Sequence, residues 1–210
     1  MRVISGWIKS QSVECVWIAT PCSSWTSARH GPIGSSWCTL RSGKHILGLP
    51  QLSTHAQSAV NLGNQLMYCT LRLVNLCNSL CIMNFIENPH TSWLWHSPGF
   101  KKLLASPLCR THVHDACQYG SRWRKRTRVA SHFAGTSFAL QLRCKGRHGI
   151  CSLSGKPHIV LKGSDPVSKR LWTKIAEPYP PKLCALYAQH INHVAMSSRI
   201  HALNRLAGVV

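Results

Sequence analysis

VECVWIATPC, residues 13–22, is an apolar run that stops abruptly at a proline and a cysteine. Its Val, Ile and Trp content reads as a buried strand over residues 13–20, whose end delivers Cys22 into a loop. CIMNFIENP, residues 81–89, repeats the pattern, with the strand CIMNFI running into Glu87-Asn88-Pro89. Between the two, Val60, Leu62, Leu66, Met67, Leu71, Val74 and Leu76 recur at a roughly helical period from Ser53 to Leu80, with Ser53 or Thr54 placed to cap the helix. Strand, long loop, helix, strand is a parallel crossover unit, and open sheets of that kind place ligands at the carboxyl ends of their strands. Cys22 and Glu87 fall at those ends. A thiol nucleophile and a carboxyl acid are the groups needed to attack and protonate an electron-poor heterocycle, a chemistry that suits a pyrimidine base.

Outward from this unit, residues 2–11 look like the last turns of a helix. Residues 21–50 form a Ser, Trp, Gly and Pro rich loop carrying Arg29, His30, Arg41, Lys44 and His45. A short helix is expected around Phe100 to Ala105 and a strand near His112 to Cys117, leading into Tyr119-Gly120-Ser121-Arg122-Trp123-Arg124-Lys125-Arg126-Thr127-Arg128. Residues 129–178 are rich in Gly, Ser, Lys and His with little periodicity, and Tyr179-Pro180-Pro181 then opens an amphipathic helix to about Val194. The expected organisation is an α/β part over residues 1–129, an irregular basic region over 130–178, and a closing helix and tail over 179–210.

Lys and Arg total 25 against 5 acidic residues, for a formal charge of +20, which favours a polyanionic partner. Eight tryptophans and 44% hydrophobic residues argue for a packed core over a ribosomal or packaging type of chain. Eleven cysteines at irregular spacing, behind a start with no signal-like apolar stretch, fit reduced thiols in an intracellular compartment, the nucleus in a eukaryote. No apolar run approaches the roughly 18 residues of a membrane span.

Taken in order, these segments resemble the DNA (cytosine-5) methyltransferases, and more closely their divergent relatives whose arginine motif reads Tyr-Gly-x-x-Trp-Arg-Lys. Pro21-Cys22 matches the family's nucleophile loop, Glu87-Asn88-Pro89 its Glu-Asn-Val type motif, and Tyr119-Gly120 with Arg126 and Arg128 its arginine motif. Pro180-Pro181-Lys182-Leu183 looks like the start of the closing helix. The resemblance implies that Cys22 adds to carbon 6 of a flipped cytosine while Glu87 holds ring nitrogen 3. Pro21, Asn88, Pro89, Arg126 and Arg128 would contact the substrate, and S-adenosylmethionine would donate the methyl group. The partner would be DNA, with RNA left open.

The departures are as informative as the matches. Twelve residues precede the first readable strand, too few for the glycine-rich loop and the acidic residue that hold S-adenosylmethionine in the family. Trp123 stands where a glutamine is usual, and Glu177-Pro178-Tyr179 replaces the Gly-Asn before the closing prolines. The expectation is therefore a partial doubly wound, Rossmann-like sheet truncated at its N-terminus, with a small irregular C-terminal region. Such a chain would be incomplete or inactive alone, and three explanations compete for the missing cofactor half: a misplaced start codon, a split enzyme joined by a complementing subunit, or a decayed copy from a mobile element. The alternative is a non-catalytic basic nucleic-acid-binding protein of mobile-element origin.

Cys144, His148, Cys151 and His158, spaced Cys-x3-His-x2-Cys-x6-His, offer four soft ligands in a Gly-rich segment and suit a tetrahedral zinc. Cys109, His112, His114 and Cys117 also have ligand-like spacing, but a strand there would point Cys117 away from the two histidines. That second set reads as structural.

Overall fold

The computed structural model describes residues 2–27, 38–132 and 138–206. The elements are α1 (Arg2–Lys9), β1 (Cys15–Ala19), α2 (Thr54–Ser79), β2 (Met83–Pro89), α3 (Pro98–Leu104), β3 (Arg110–Asp115), β4 (Arg126–Ser131), α4 (Trp172–Ile175) and α5 (Pro181–Leu206). Short 3-10 turns lie at Trp93–His96, Ala116–Tyr119 and Phe138–Leu140. The strands form one mixed four-stranded sheet in the order β1-β2-β4-β3.

The crossover unit is present. β1 and β2 pair in parallel, from Cys15 opposite Met83 to Ala19 opposite Glu87, and the paired Trp17 and Phe85 stack with centroids 5.5 Å apart. α2 connects them, and its first turn is closed by Ser53, whose Oγ accepts a hydrogen bond from the Ala56 N–H at 3.3 Å. Two differences from the sequence expectation matter. β2 continues through Glu87, Asn88 and Pro89, so these three belong to the strand and not to a loop after it, because Glu87 keeps its ladder partner Ala19. The second is β4: Thr127, Val129 and Ser131 are buried at alternate positions, and this period-two signal lies inside a run of basic residues.

The chain divides into two compact units, Met1–Thr111 with Arg128–Gly135, and His112–Thr127 with Thr136–Val210. In the first, Trp25, Met67, Val74, Ile86, Leu94, Trp95, Phe100 and Ala130 form the main apolar cluster, and Ile8, Leu73, Cys77 and Ile82 a second one. α2 supplies residues to both, since Met67 and Val74 fall on one stripe and Leu73 and Cys77 on its neighbour. Each fully buried large side chain stabilises such a core by about 1.5–3 kcal/mol.

In the second unit β3 ends at Asp115, earlier than the expected Cys117. The chain then tightens into the turn Ala116–Tyr119, which Gly120 ends in a left-handed conformation at φ +99°. Leu183 and Tyr187 are the buried face of α5, which runs beyond the expected Val194 to Leu206. His112 and His114 are buried beside Tyr187, whose hydroxyl lies 2.6 Å from His112 Nε2. Burial pushes both imidazoles down to about 4. From Gln141 to Ile175 the packing is different: Cys144 and Cys151 are the buried side chains of that whole stretch.

Candidate functional site

The carboxyl ends of β1 and β2 are fastened to each other. Asn88 Nδ2 donates to the Thr20 carbonyl at 2.6 Å, and Trp93 N–H donates to the Trp25 carbonyl at 2.8 Å. Cys22 opens a tight turn closed by the Trp25 N–H on its carbonyl at 2.9 Å, and its side chain is half-buried. Glu87 is buried, at 7% exposure, while Pro21 is exposed and Pro89 half-buried, its carbonyl accepting from Trp95 Nε1 at 2.9 Å. The Cys22 turn and Glu87 thus share one end of one strand pair.

Behind the turn sits Arg41, which composition alone would place on a solvated basic loop. It is 1% exposed. Its Nε donates to the Ser24 carbonyl at 2.9 Å, and its other nitrogens reach Ser24 Oγ at 3.0 Å, the Ile46 carbonyl at 2.8 Å, Asn64 Oδ1 at 2.8 Å and the Val60 carbonyl at 3.1 Å. The guanidinium lies 3.4 Å from the Trp25 ring centroid. Burial pulls it down to about 10, so it remains a cation at neutral pH. Gly63 permits this approach, because a Cβ there would fall on Ser24 Oγ and within 2.9 Å of the Arg41 guanidinium. Arg41 therefore pins the Cys22 turn to α2. Nothing in the sequence marks it.

The other basic residues fall in different places. Lys44 and His45 line a cavity of about 470 Å³ with Ile46, Leu47, His96 and Lys101. Arg29 and His30 lie outside the described residues. Arg128 is half-buried with its guanidinium 5.5 Å from the Trp95 ring, and burial lowers its pKa. Arg126 holds the buried Asp115 by two bonds, Nε to Oδ1 at 2.8 Å and a terminal nitrogen to Oδ2 at 3.0 Å. Arg124 Nε adds a third at 3.3 Å. Burial alone would raise the Asp115 carboxyl, but Arg126, the Cys144 N–H and Arg124 outweigh it and hold it below the usual carboxylate range.

The second constellation corrects the sequence reading. Cys117, Cys144, Cys151 and His158 bring their ligand atoms within 4.8 Å of one another, forming a site able to hold a metal ion. His148 is not a member: it is exposed, in a left-handed turn at φ 51° that sends it to solvent. Cys117 takes its place from the turn after β3, far away in sequence. Ser152 N–H and Oγ lie 3.4 and 3.5 Å from Cys144 Sγ, and Gln118 Nε2 reaches Cys117 Sγ at 3.5 Å. Burial pushes the Cys117 thiol up to about 12. The same effect on Cys151 is outweighed by the N–H groups of Ser154 and Leu153, which bring it down to about 6.

Compared with family models, curated proteins and solved structures, the chain matches none of them.

Proposed function

We propose that this protein activates cytosine in DNA in the manner of the DNA (cytosine-5) methyltransferases, with Cys22 as nucleophile and Glu87 as acid. The observation that carries the reading is the parallel register of β1 and β2: Glu87 stands opposite Ala19, and Asn88 ties its strand end to Thr20, two residues before Cys22. The thiolate sulfur would bond to carbon 6 of an extruded cytosine. The displaced electron pair moves toward carbon 5 as ring nitrogen 3 takes a proton from Glu87, so carbon 5 becomes nucleophilic. Carbon 5 then bonds to an electrophile, which is a proton from water when no methyl donor is present. Its original hydrogen leaves as a proton, that bonding pair re-forms the carbon 5–carbon 6 double bond as the carbon 6–sulfur bond breaks to release the thiolate, and nitrogen 3 returns its proton to Glu87. Extrusion of the base costs a few kcal/mol, offset by pocket and phosphate contacts that a chain of charge +20 is suited to make.

S-adenosylmethionine is the donor this family resemblance implies. Among the described residues, β1 runs into Pro21-Cys22 and β2 into a turn at His90 and Thr91, and neither is a glycine-rich turn opening a helix. The described residues do not fit that cofactor, and the chemistry assigned to this chain stops at the activated ring. A complementing subunit is its source on this reading. The Cys117 cluster is assigned to zinc, as a structural ion.

Activation of carbon 5 can be measured without any methyl donor, because the intermediate exchanges its carbon 5 hydrogen with water. DNA carrying 5-tritiated cytosine should release tritium with the wild type. The Cys22→Ser variant should release at least about 1,000-fold less and Glu87→Gln about 100-fold less. Equal DNA affinity in wild type and Cys22→Ser, with no tritium released by either, would assign the chain to the non-catalytic nucleic-acid binders instead.

A further inference from the structure

We propose that Cys117, Cys144, Cys151 and His158 bind one zinc ion, and that this centre holds the basic segment Arg122–Arg126 in its polyanion-binding form. The metal assignment stands without the catalytic reading; only the second step rests on a nucleic acid being the partner.

Three observations carry the centre. The first is geometric. A tetrahedral zinc with bonds of about 2.3 Å to sulfur and about 2.0 Å to nitrogen sets its ligand atoms about 3.5–3.8 Å apart. Cys144 Sγ and His158 Nε2 are 3.7 Å apart, and the whole set falls within 4.8 Å. A disulfide would need sulfurs about 2.05 Å apart, and all three cysteines are free thiols. The second is the surrounding shell. Polar hydrogens point at the sulfurs, the Ser152 N–H toward Cys144 Sγ at 3.4 Å and the Gln118 amide toward Cys117 Sγ at 3.5 Å, as they do around thiolate ligands. Gly146 lets the loop close, since a Cβ there would fall on the Ile150 carbonyl oxygen. The third is packing. The apolar cluster of this region consists of Cys117, Cys144 and Cys151 alone, and from Gln141 to Ile175 nothing else is buried. A segment without a core needs another source of stability, and a coordinated ion supplies it.

The ligand residues also hold the basic segment. Cys144 N–H donates to Asp115 Oδ2 at 2.9 Å, and the Cys144 carbonyl accepts from Arg124 at 2.9 Å. Ile159, next to His158, donates its N–H to the Arg122 carbonyl at 2.9 Å. Asp115 in turn aligns Arg126. Loss of the ion frees both flanks of the ligand set, and with them the frame that fixes the arginines.

The test uses the full chain. Wild type equilibrated with zinc and then desalted should carry about one zinc by elemental mass spectrometry, kept by His148→Ala and lost by Cys117→Ser and Cys151→Ser. Wild type without zinc, or zinc kept by Cys117→Ser and lost by His148→Ala, overturns the centre. Should the cysteine variants not fold, cobalt(II) titration of wild type decides it: intense thiolate-to-metal absorption supports the centre and its absence overturns it. Duplex DNA affinity, measured across a salt series, should fall at least about 10-fold when a chelator removes the zinc, with the salt slope smaller by about one to two. Unchanged affinity on zinc removal overturns the coupling and leaves the centre standing. A zinc-bound chain with no affinity for DNA refutes the nucleic-acid reading, and the coupling with it.

Discussion

Replacing Arg41 with methionine keeps the bulk of the side chain and removes every bond it makes. The Ser24 and Ile46 carbonyls lose donors at 2.9 and 2.8 Å from a side chain whose residue is 1% exposed. Stranding the buried Ser24 carbonyl and the half-buried Ile46 carbonyl costs about 2–4 kcal/mol, and the lost Trp25 face contact about 1–2 kcal/mol. Removing a buried cation returns part of this, because no carboxylate is among the five groups that the guanidinium bonds. The expected net loss is about 3–4 kcal/mol, with Arg41→Lys losing about half, since an ammonium cannot span the same acceptors. Urea unfolding followed by tryptophan fluorescence reads it as a lower midpoint at constant slope. Ser24 is two residues beyond Cys22, so tritium release should fall at least about 10-fold in the same variant. A loss below about 1 kcal/mol would refute the view that Arg41 is what holds the turn.

Gly63→Ala should destabilise by about 1–3 kcal/mol despite the better helix propensity of alanine, because its Cβ would displace Ser24 and Arg41; a stabilised variant in thermal unfolding would contradict the packing. His112 and His114 have folded-state pKa values lowered to about 4 from 6.5, so the folded protein binds fewer protons than the unfolded chain across that window. Stability should be full above pH 6.5 and decline toward pH 4, at up to about 2.7 kcal/mol per pH unit for the pair. His114→Gln should halve that slope in urea titrations at successive pH values, and an identical slope would mean that other groups set it. Gly146→Ala should weaken zinc affinity at least about 10-fold in competition with a chromophoric chelator, and undiminished affinity would show that the loop can close without a glycine there.

How much of this was legible depends on whether the signal was local. α2 and the two strands it joins announce themselves by spacing and by the Ser53 cap, because local propensity and tertiary packing agree there. β4 was hidden, since its charges at Arg126 and Arg128 outweigh the buried alternation of Thr127, Val129 and Ser131. His148 sits at attractive linear spacing but on the wrong side of a left-handed turn, while Cys117 is delivered by a turn that sequence periodicity does not mark. Arg41 was unreadable for a related reason. Its burial depends on carbonyls from Ser24, Ile46 and Val60, three segments that only the folded chain brings together.

The near absence of buried side chains between Gln141 and Ile175 also bears on how this protein can change. Positions outside a packed interior accept substitution within about 0.5 kcal/mol. In this stretch the donors and a few glycines carry the constraint, and the intervening surface, with Ile150, Leu153, Val160 and Val167 all exposed, is open to drift. Insertions and altered charge there need no compensating repacking elsewhere. The segment is therefore where a new binding preference could evolve, or be engineered, at the least risk to folding.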